Sequence, residues 1–233
     1  KIHAVVPVRE FSEDSFLFFA TNLGVVKRTP LVDFSRPRQA GIRAINLIED
    51  EHLVAVRETD GNCDVLVATS GGMAIRFHET DSRSMGRTAR GVRGIRMGTK
   101  EQVVGMVVFK PEDQDGALLS VTENGYGKRT PLGDYRVQKR GGKGLITIKC
   151  SERNGALMGI RDVNPGEQLM VITRGGIMIR IAIDSISEQS RNTQGVRIIN
   201  LKGADKVGSI AKISTEAMAS EEEMEGLVDV EAV

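Results

Sequence analysis

Seven consecutive residues, Gln138-Lys139-Arg140-Gly141-Gly142-Lys143-Gly144, concentrate three cations and three glycines in one short stretch. Glycines let backbone N–H groups come close to an anion while lysine and arginine side chains neutralise it. A phosphate in a nucleic-acid backbone suits that pairing. Cationic stretches recur elsewhere: Arg36, Arg38 and Arg43; then Arg83, Arg87, Arg90, Arg93 and Arg96; then Arg191 and Arg197. A second row of contacts is expected from Lys27, Arg28, Arg76, Lys128, Arg129 and Arg180. A single strand cation is more often an edge or solubility residue, but a cation repeated at one address in four places points to a shared contact. Aromatic residues make up only 4% of the chain, with no tryptophan, so stacking platforms for single strands are lacking. No segment reads as a helix able to enter the major groove, which favours duplex backbone over base edges as the target.

Chemistry of other kinds finds no support. There is no Gly-x-Ser-x-Gly elbow and no His-Glu-x-x-His pair. Gly125-Tyr126-Gly127-Lys128-Arg129-Thr130 has the look of a phosphate loop but lacks its glycine spacing and its terminal Lys-Ser/Thr, and it precedes a strand instead of a helix. Cys63 and Cys150 are unclustered, and His3, His52 and His78 form no metal spacing. The segment is therefore expected to be non-catalytic, with reduced cysteines and neither metal nor cofactor of its own.

The elements that would position these cations follow from an internal repeat. Lys27-Arg28-Thr29-Pro30-Leu31 returns unchanged as Lys128-Arg129-Thr130-Pro131-Leu132. Gly24, Gly72, Gly125 and Gly176 each precede an arginine by four residues (Arg28, Arg76, Arg129, Arg180). A second glycine follows at Gly41, Gly91, Gly144 and Gly195, and four residues beyond it stands an isoleucine: Ile45, Ile95, Ile148 and Ile199. The unit is close to 50 residues. Each begins with an apolar run, a glycine turn and a second run, as in Val65–Thr69, Ser70-Gly71-Gly72 and Met73–Phe77, which is a hairpin signature. With the strand around the isoleucine and a last apolar strand, the count is four strands per unit, the size of a propeller blade.

The expected organisation is a closing strand and linker over 1–14, blades over 15–62, 63–114, 115–165 and 166–213, and a disordered acidic tail over 214–233. Residues 1–9, KIHAVVPVR, match the last strand of a unit, so the chain is expected to begin inside a blade of a longer polypeptide. The net charge of +1 conceals a division, because the last 18 residues hold seven acids and no base, leaving +8 on residues 1–215. A basic body with an acidic tail suits a polyanionic partner and an internal competitor for it. No apolar run is long enough to span a membrane, and no signal peptide opens the chain.

At residues 138–144 the sequence resembles the gyrase A box, Gln-Arg/Lys-Arg-Gly-Gly-Lys-Gly. Asn124–Thr130, Gly91–Arg96 and Arg191–Val196 are likewise similar to the C-terminal domain of the DNA gyrase A subunit. The resemblance covers residues 1 to about 213. It implies an all-β fold, a β-pinwheel: a propeller-like disc of four-stranded blades that exchange strands, with about four blades plus a closing strand visible here. It further implies that duplex DNA wraps a basic rim and is presented for strand passage in ATP-dependent negative supercoiling. Implied partners are duplex DNA and, through the rest of the A subunit, the gyrase B subunit, in the bacterial cytoplasm at the nucleoid. ATP and Mg2+ would serve the holoenzyme elsewhere. The family's usual six blades, with the box in the first, contrast with four repeats here and a box in the third. A second wrapping contact and a basic loop of similar sequence both remain open for it. The alternative readings are a propeller-type protein-interaction module and the homologous domain of the topoisomerase IV A-type subunit.

Overall fold

In the computed structural model, residues 2–113 and 115–219 are described. The first repeat supplies β1 (Phe16–Thr21), β2 (Val25–Pro30) and β3 (Leu53–Thr59). The second supplies β4 (Asp64–Thr69), β5 (Met73–His78), β6 (Val92–Arg93) and β7 (Val103–Phe109). The third gives β8 (Ala117–Thr122), β9 (Tyr126–Pro131), β10 (Leu145–Ile146) and β11 (Leu157–Val163), and the fourth β12 (Gln168–Thr173), β13 (Met178–Ala182), β14 (Val196–Arg197) and β15 (Val207–Ile213).

These strands make four antiparallel sheets, in the orders β3-β1-β2-β6, β10-β5-β4-β7, β11-β8-β9-β14 and β13-β12-β15. The strand that carries the repeated isoleucine does not stay in its own blade. Each short donor, β6, β10 and β14, pairs with the hairpin of the preceding repeat. Among the described residues no donor reaches β13, so the fourth sheet has three strands where four were expected. The first repeat's donor segment, residues 41–46, forms no strand, and Ile45 is only half-buried. Residues 2–14 also form no strand. The expected closing strand instead lies beside β3, where Val5, Val6 and Pro7 line a cleft with Val56, Arg57 and Glu58. Pro7 has no N–H to give to a ladder.

Each hairpin turns on a glycine with positive φ, between 76° at Gly24 and 84° at Gly176. The turn is closed by that glycine's N–H on a threonine carbonyl, as in Gly24 to Thr21 at 3.0 Å. The core is distributed over the three joints between successive blades. Phe18, Val26, Val67, Phe77 and Ile95 pack in the first, Leu66, Leu118, Tyr135, Ile148 and Ile160 in the second, and Leu119, Val171, Ile183, Ile199 and Ile210 in the third. The central strands β4 and β8 lie between two blades and are buried along their whole length, hence apolar residues on both faces, interrupted in β8 by the buried Ser120. By contrast β12, covered on one side, alternates buried and half-buried positions, and β13 alternates half-buried and exposed ones.

Candidate nucleic-acid interface

The strand cations turn inward. Lys27 and Lys128 are 0% exposed. The Lys27 ammonium donates to the carbonyls of Ala44, at 2.6 Å, and Arg87. Lys128 donates to Ser190 and, at 2.7 Å, to Arg191. Burial pushes both lysines down to about 8, an effect that Asp33 and Asp134, respectively, partly oppose. Arg76, 4% exposed, is bonded through Nε to Asp64 at 2.7 Å and through Nη1 to the carbonyls of Leu132 and Tyr135. Arg28 lies over the Phe16 ring, 3.6 Å from Glu79, and Arg129 donates to the Ile186 carbonyl at 2.8 Å. Apart from Arg76's own-blade Asp64, these partners belong mostly to the next repeat. The shared address is therefore an inter-blade staple: of the expected second row of phosphate contacts, Lys27, Arg76 and Lys128 are buried and Arg28 and Arg129 half-buried. Arg180, in the repeat whose hairpin receives no donor, stays exposed and bonds to Gln168.

The loop cations behave differently. Residues 36–46 carry three, 83–96 five, 136–149 five and 187–200 two, against one carboxylate, Glu188. The loops bond to one another in series, Asn46 N–H to the Ala89 carbonyl, Arg96 N–H to Gly142 and Lys149 N–H to Thr193. They form a continuous band on which Arg36, Arg38, Arg43, Arg83, Arg90, Arg93, Arg96, Arg136, Lys139, Lys143, Lys149 and Arg197 are exposed. Arg87, Arg140 and Arg191 are half-buried in it. Arg90 meets the buried Glu51 carboxylate at 3.3 Å.

Within residues 138–144 the parts divide. Lys139 and Lys143 point outward, whereas Arg140 folds back onto the carbonyls of Asp81 and Arg93, both at 2.8 Å. Gln138 N–H donates to the Arg76 carbonyl, and Gly141 N–H to that of Gly94 at 2.6 Å, so neither is held out to an anion. Gly144 is required for steric reasons. Its φ is +78°, and a Cβ there would sit 2.2 Å from the Ala74 carbonyl oxygen. Gly91 and Gly195 make the same close approach to Val26 and Gly127, while Gly41, whose segment has no hairpin to cross, meets nothing. These glycines let the donor strand cross the preceding hairpin, which in turn fixes the cationic loop on the band. Sequence reasoning missed Tyr126 and Arg153, although a tyrosine standing where other repeats have Val25, Met73 and Ile177 was a visible signal.

The model of the family described as DNA gyrase C-terminal domain, beta-propeller, matches residues 15–60, 64–110, 117–164 and 167–214. The chain belongs to this family. It is 45% identical over 216 residues to the DNA gyrase A subunit of Staphylococcus epidermidis, an alignment covering 92% of this chain and 24% of that one. Against the same protein of Staphylococcus aureus (strain NCTC 8325 / PS 47) identity is 46% over 217 residues, covering 93% of this chain and again 24% of the relative. The chain thus spans about a quarter of the length of these relatives. Two solved structures share the fold. They are a C-terminal domain of DNA topoisomerase IV (TM-score 0.85, 22% identity, covering 94% of this chain and 69% of that one) and a DNA gyrase A C-terminal domain (0.78, 23%, 89% and 68%). Among the described residues no helix is long and apolar enough to cross a membrane.

Proposed function

We propose that this chain is a non-catalytic module that binds duplex DNA along its loop band, bends it and wraps it. The carrying observation is the band itself, with 15 cations against one carboxylate in four contiguous loops of a nearly neutral chain. Such a surface neutralises phosphates without reading bases. Short loops and two-residue strands bear the cations, and none has the form of a groove-reading helix. Within the whole gyrase the wrapped segment would be handed to the strand-passage gate for negative supercoiling. ATP and Mg2+ would be used by the other parts of the enzyme, the B subunit would be reached through the rest of the A subunit, and the setting would be the bacterial cytoplasm at the nucleoid.

If about 8 to 10 phosphates are neutralised, log K for random-sequence duplex should fall against log salt with a slope of roughly −7 to −9. A relaxed plasmid closed in the presence of the chain should show a changed linking number. Binding indifferent to salt, or strongly dependent on sequence, would reject the reading and favour an acidic protein partner.

A further inference from the structure

The third inter-blade joint holds two guanidiniums that converge on one phenol. Tyr126 on β9 lies opposite Arg197 on β14. The corresponding pairs are Val25 with Arg93 and Met73 with Ile146, so among the described joints only this one has an aromatic under the donor strand. Arg153 arrives from the connection into β11. The step from Ile148 to Leu157 is nine residues, against eight in the other three repeats. Arg197 Nη2 donates to the Tyr126 hydroxyl at 3.0 Å and Arg153 Nε at 3.3 Å. The two guanidinium carbons stand 5.4 and 5.1 Å from the ring centroid. The arginines pull the Tyr126 hydroxyl below its ordinary pKa.

Beside this stack opens a cleft of about 370 Å³, whose lining includes Asn124, Asp205 and Lys206. The acidic groups nearby are already engaged. Asp205 accepts from the N–H groups of Gly175 and Lys206, and Glu123 pairs with Lys206 at 2.8 Å. Neither Arg153 nor Arg197 has a carboxylate partner among the described residues, and both are exposed. Each guanidinium has five N–H donors. One from each is used on Tyr126, and Arg197 gives another to Asn200 at 3.5 Å. The remaining planar forks match an oxyanion.

We propose that this cleft binds a phosphate group, held by Arg153 and Arg197 and braced by Tyr126. The inference deepens the duplex-binding reading, because Arg197 stands on the donor strand leaving the fourth cationic loop, where a phosphodiester would extend the band. A free phosphorylated small molecule would offer the same oxyanion. The test uses the 233-residue chain with Arg153→Gln, Arg197→Gln and the charge-keeping Arg153→Lys, each checked for a parent-like thermal melt. In the first arm, random-sequence duplex is titrated across salt concentrations. Each glutamine variant should lose several-fold in low-salt affinity and flatten the log–log slope by about 0.9, with Arg153→Lys retaining most of the slope. In the second, inorganic phosphate is titrated while the arginine Nε–Hε NMR signals are followed. Saturable shifts at Arg153 and Arg197 are expected in the parent and should vanish in Arg153→Gln. A response in the duplex arm assigns the site to DNA, and a response to phosphate alone assigns it to a free phosphorylated ligand. Parent-like behaviour of both glutamine variants in both arms overturns the proposal and leaves the stack a structural brace. Should the parent fail to bind duplex, the duplex-binding reading falls, while the phosphate arm still decides this one.

Discussion

Lys128→Ala and Lys139→Ala should separate the two kinds of cation in this chain. Lys128 donates to two carbonyls of the next repeat from a fully buried site; its removal leaves the Arg191 carbonyl without a partner, while that of Ser190 keeps the Thr193 hydroxyl. An acceptor left unsatisfied costs about 1–3 kcal/mol, so Lys128→Ala should destabilise by roughly that amount. At roughly 2–4 °C per kcal/mol for a chain of this length, the thermal midpoint should drop by about 2–12 °C. Below that midpoint, the salt slope of duplex binding should equal the parent's. Lys139, exposed on the band, should show the reverse: stability within about 0.5 kcal/mol of the parent and a slope flatter by about 0.9. Circular dichroism melts and fluorescence-anisotropy titrations at several salt concentrations suffice. A Lys128→Ala chain that melts like the parent but loses a phosphate contact would refute the assignment of the strand cations to the joints.

The same lysine has a signature in pH. Burial holds Lys128 at about 8 in the folded chain, against an ordinary value of 10.5. Between those values the unfolded state binds more protons, so this group's contribution makes stability rise with pH. The burial penalty is present in full below about 8 and gone above 10.5. A neutral amine keeps two N–H donors, enough for the two carbonyls. Urea titrations should therefore show the stability gap between the parent and Lys128→Met widening from pH 8 to 10.5, and a narrowing gap would contradict the buried position.

Three further outcomes are expected. Gly144→Ala combines a left-handed backbone with a Cβ 2.2 Å from the Ala74 oxygen and should cost about 3–5 kcal/mol. Gly41→Ala, equally left-handed but open, should cost only about 1–2 kcal/mol, both measured by urea unfolding. Ile148→Ala, at a fully buried donor position, should cost about 2–5 kcal/mol, whereas Ile45→Ala should cost about 1 kcal/mol or less. Truncation after residue 215 removes seven acids and should raise duplex affinity at low salt, with a gain that shrinks as salt rises. Equal low-salt affinity would leave the tail, whose residues 220–233 lie outside those described, without a regulatory part.

Much of the architecture was legible because repetition amplifies weak signals. Four glycines at one spacing before four arginines mark four hairpins, and consecutive apolar residues such as Val65–Ala68 in β4 and Ala117–Leu119 in β8 mark strands covered on both faces. What periodicity could not give was the partner of each donor. The alternation around Ile95 or Ile148 says that one face is buried, not which blade buries it, and the exchange came only from the family resemblance. The strand cations misled for a physical reason. Lysine at a repeated address reads as surface because an isolated buried ammonium is costly, and the backbone carbonyls that offset that cost at Ala44, Arg87, Ser190 and Arg191 have no sequence signature. Acids at Asp64 and Glu79, spaced like partners for Arg76 and Arg28, were the clue available.

The buried cations and the exposed ones are mechanically linked. The second, third and fourth cationic loops each lead, through a glycine that crosses the preceding hairpin, into a donor strand of that hairpin's sheet. The same loop supplies the carbonyls that hold the preceding blade's lysine, as Arg87 does for Lys27 and Arg191 for Lys128. The backbone of a residue on the cationic loop is thus the anchor of the joint behind it. A duplex bound on the band, as proposed, would pull on segments whose other attachments join successive blades. Bending DNA by about 40–90° over 20–30 base pairs costs on the order of 1–6 kcal/mol. That is comparable with the roughly 1–3 kcal/mol at stake when the carbonyl of Arg191 loses Lys128. Joints of that strength can resist the bent duplex without being much stiffer than it. If the band wraps duplex, the wrap geometry should accordingly respond to substitutions at the buried Lys27 and Lys128, while the salt slope responds to the exposed cations.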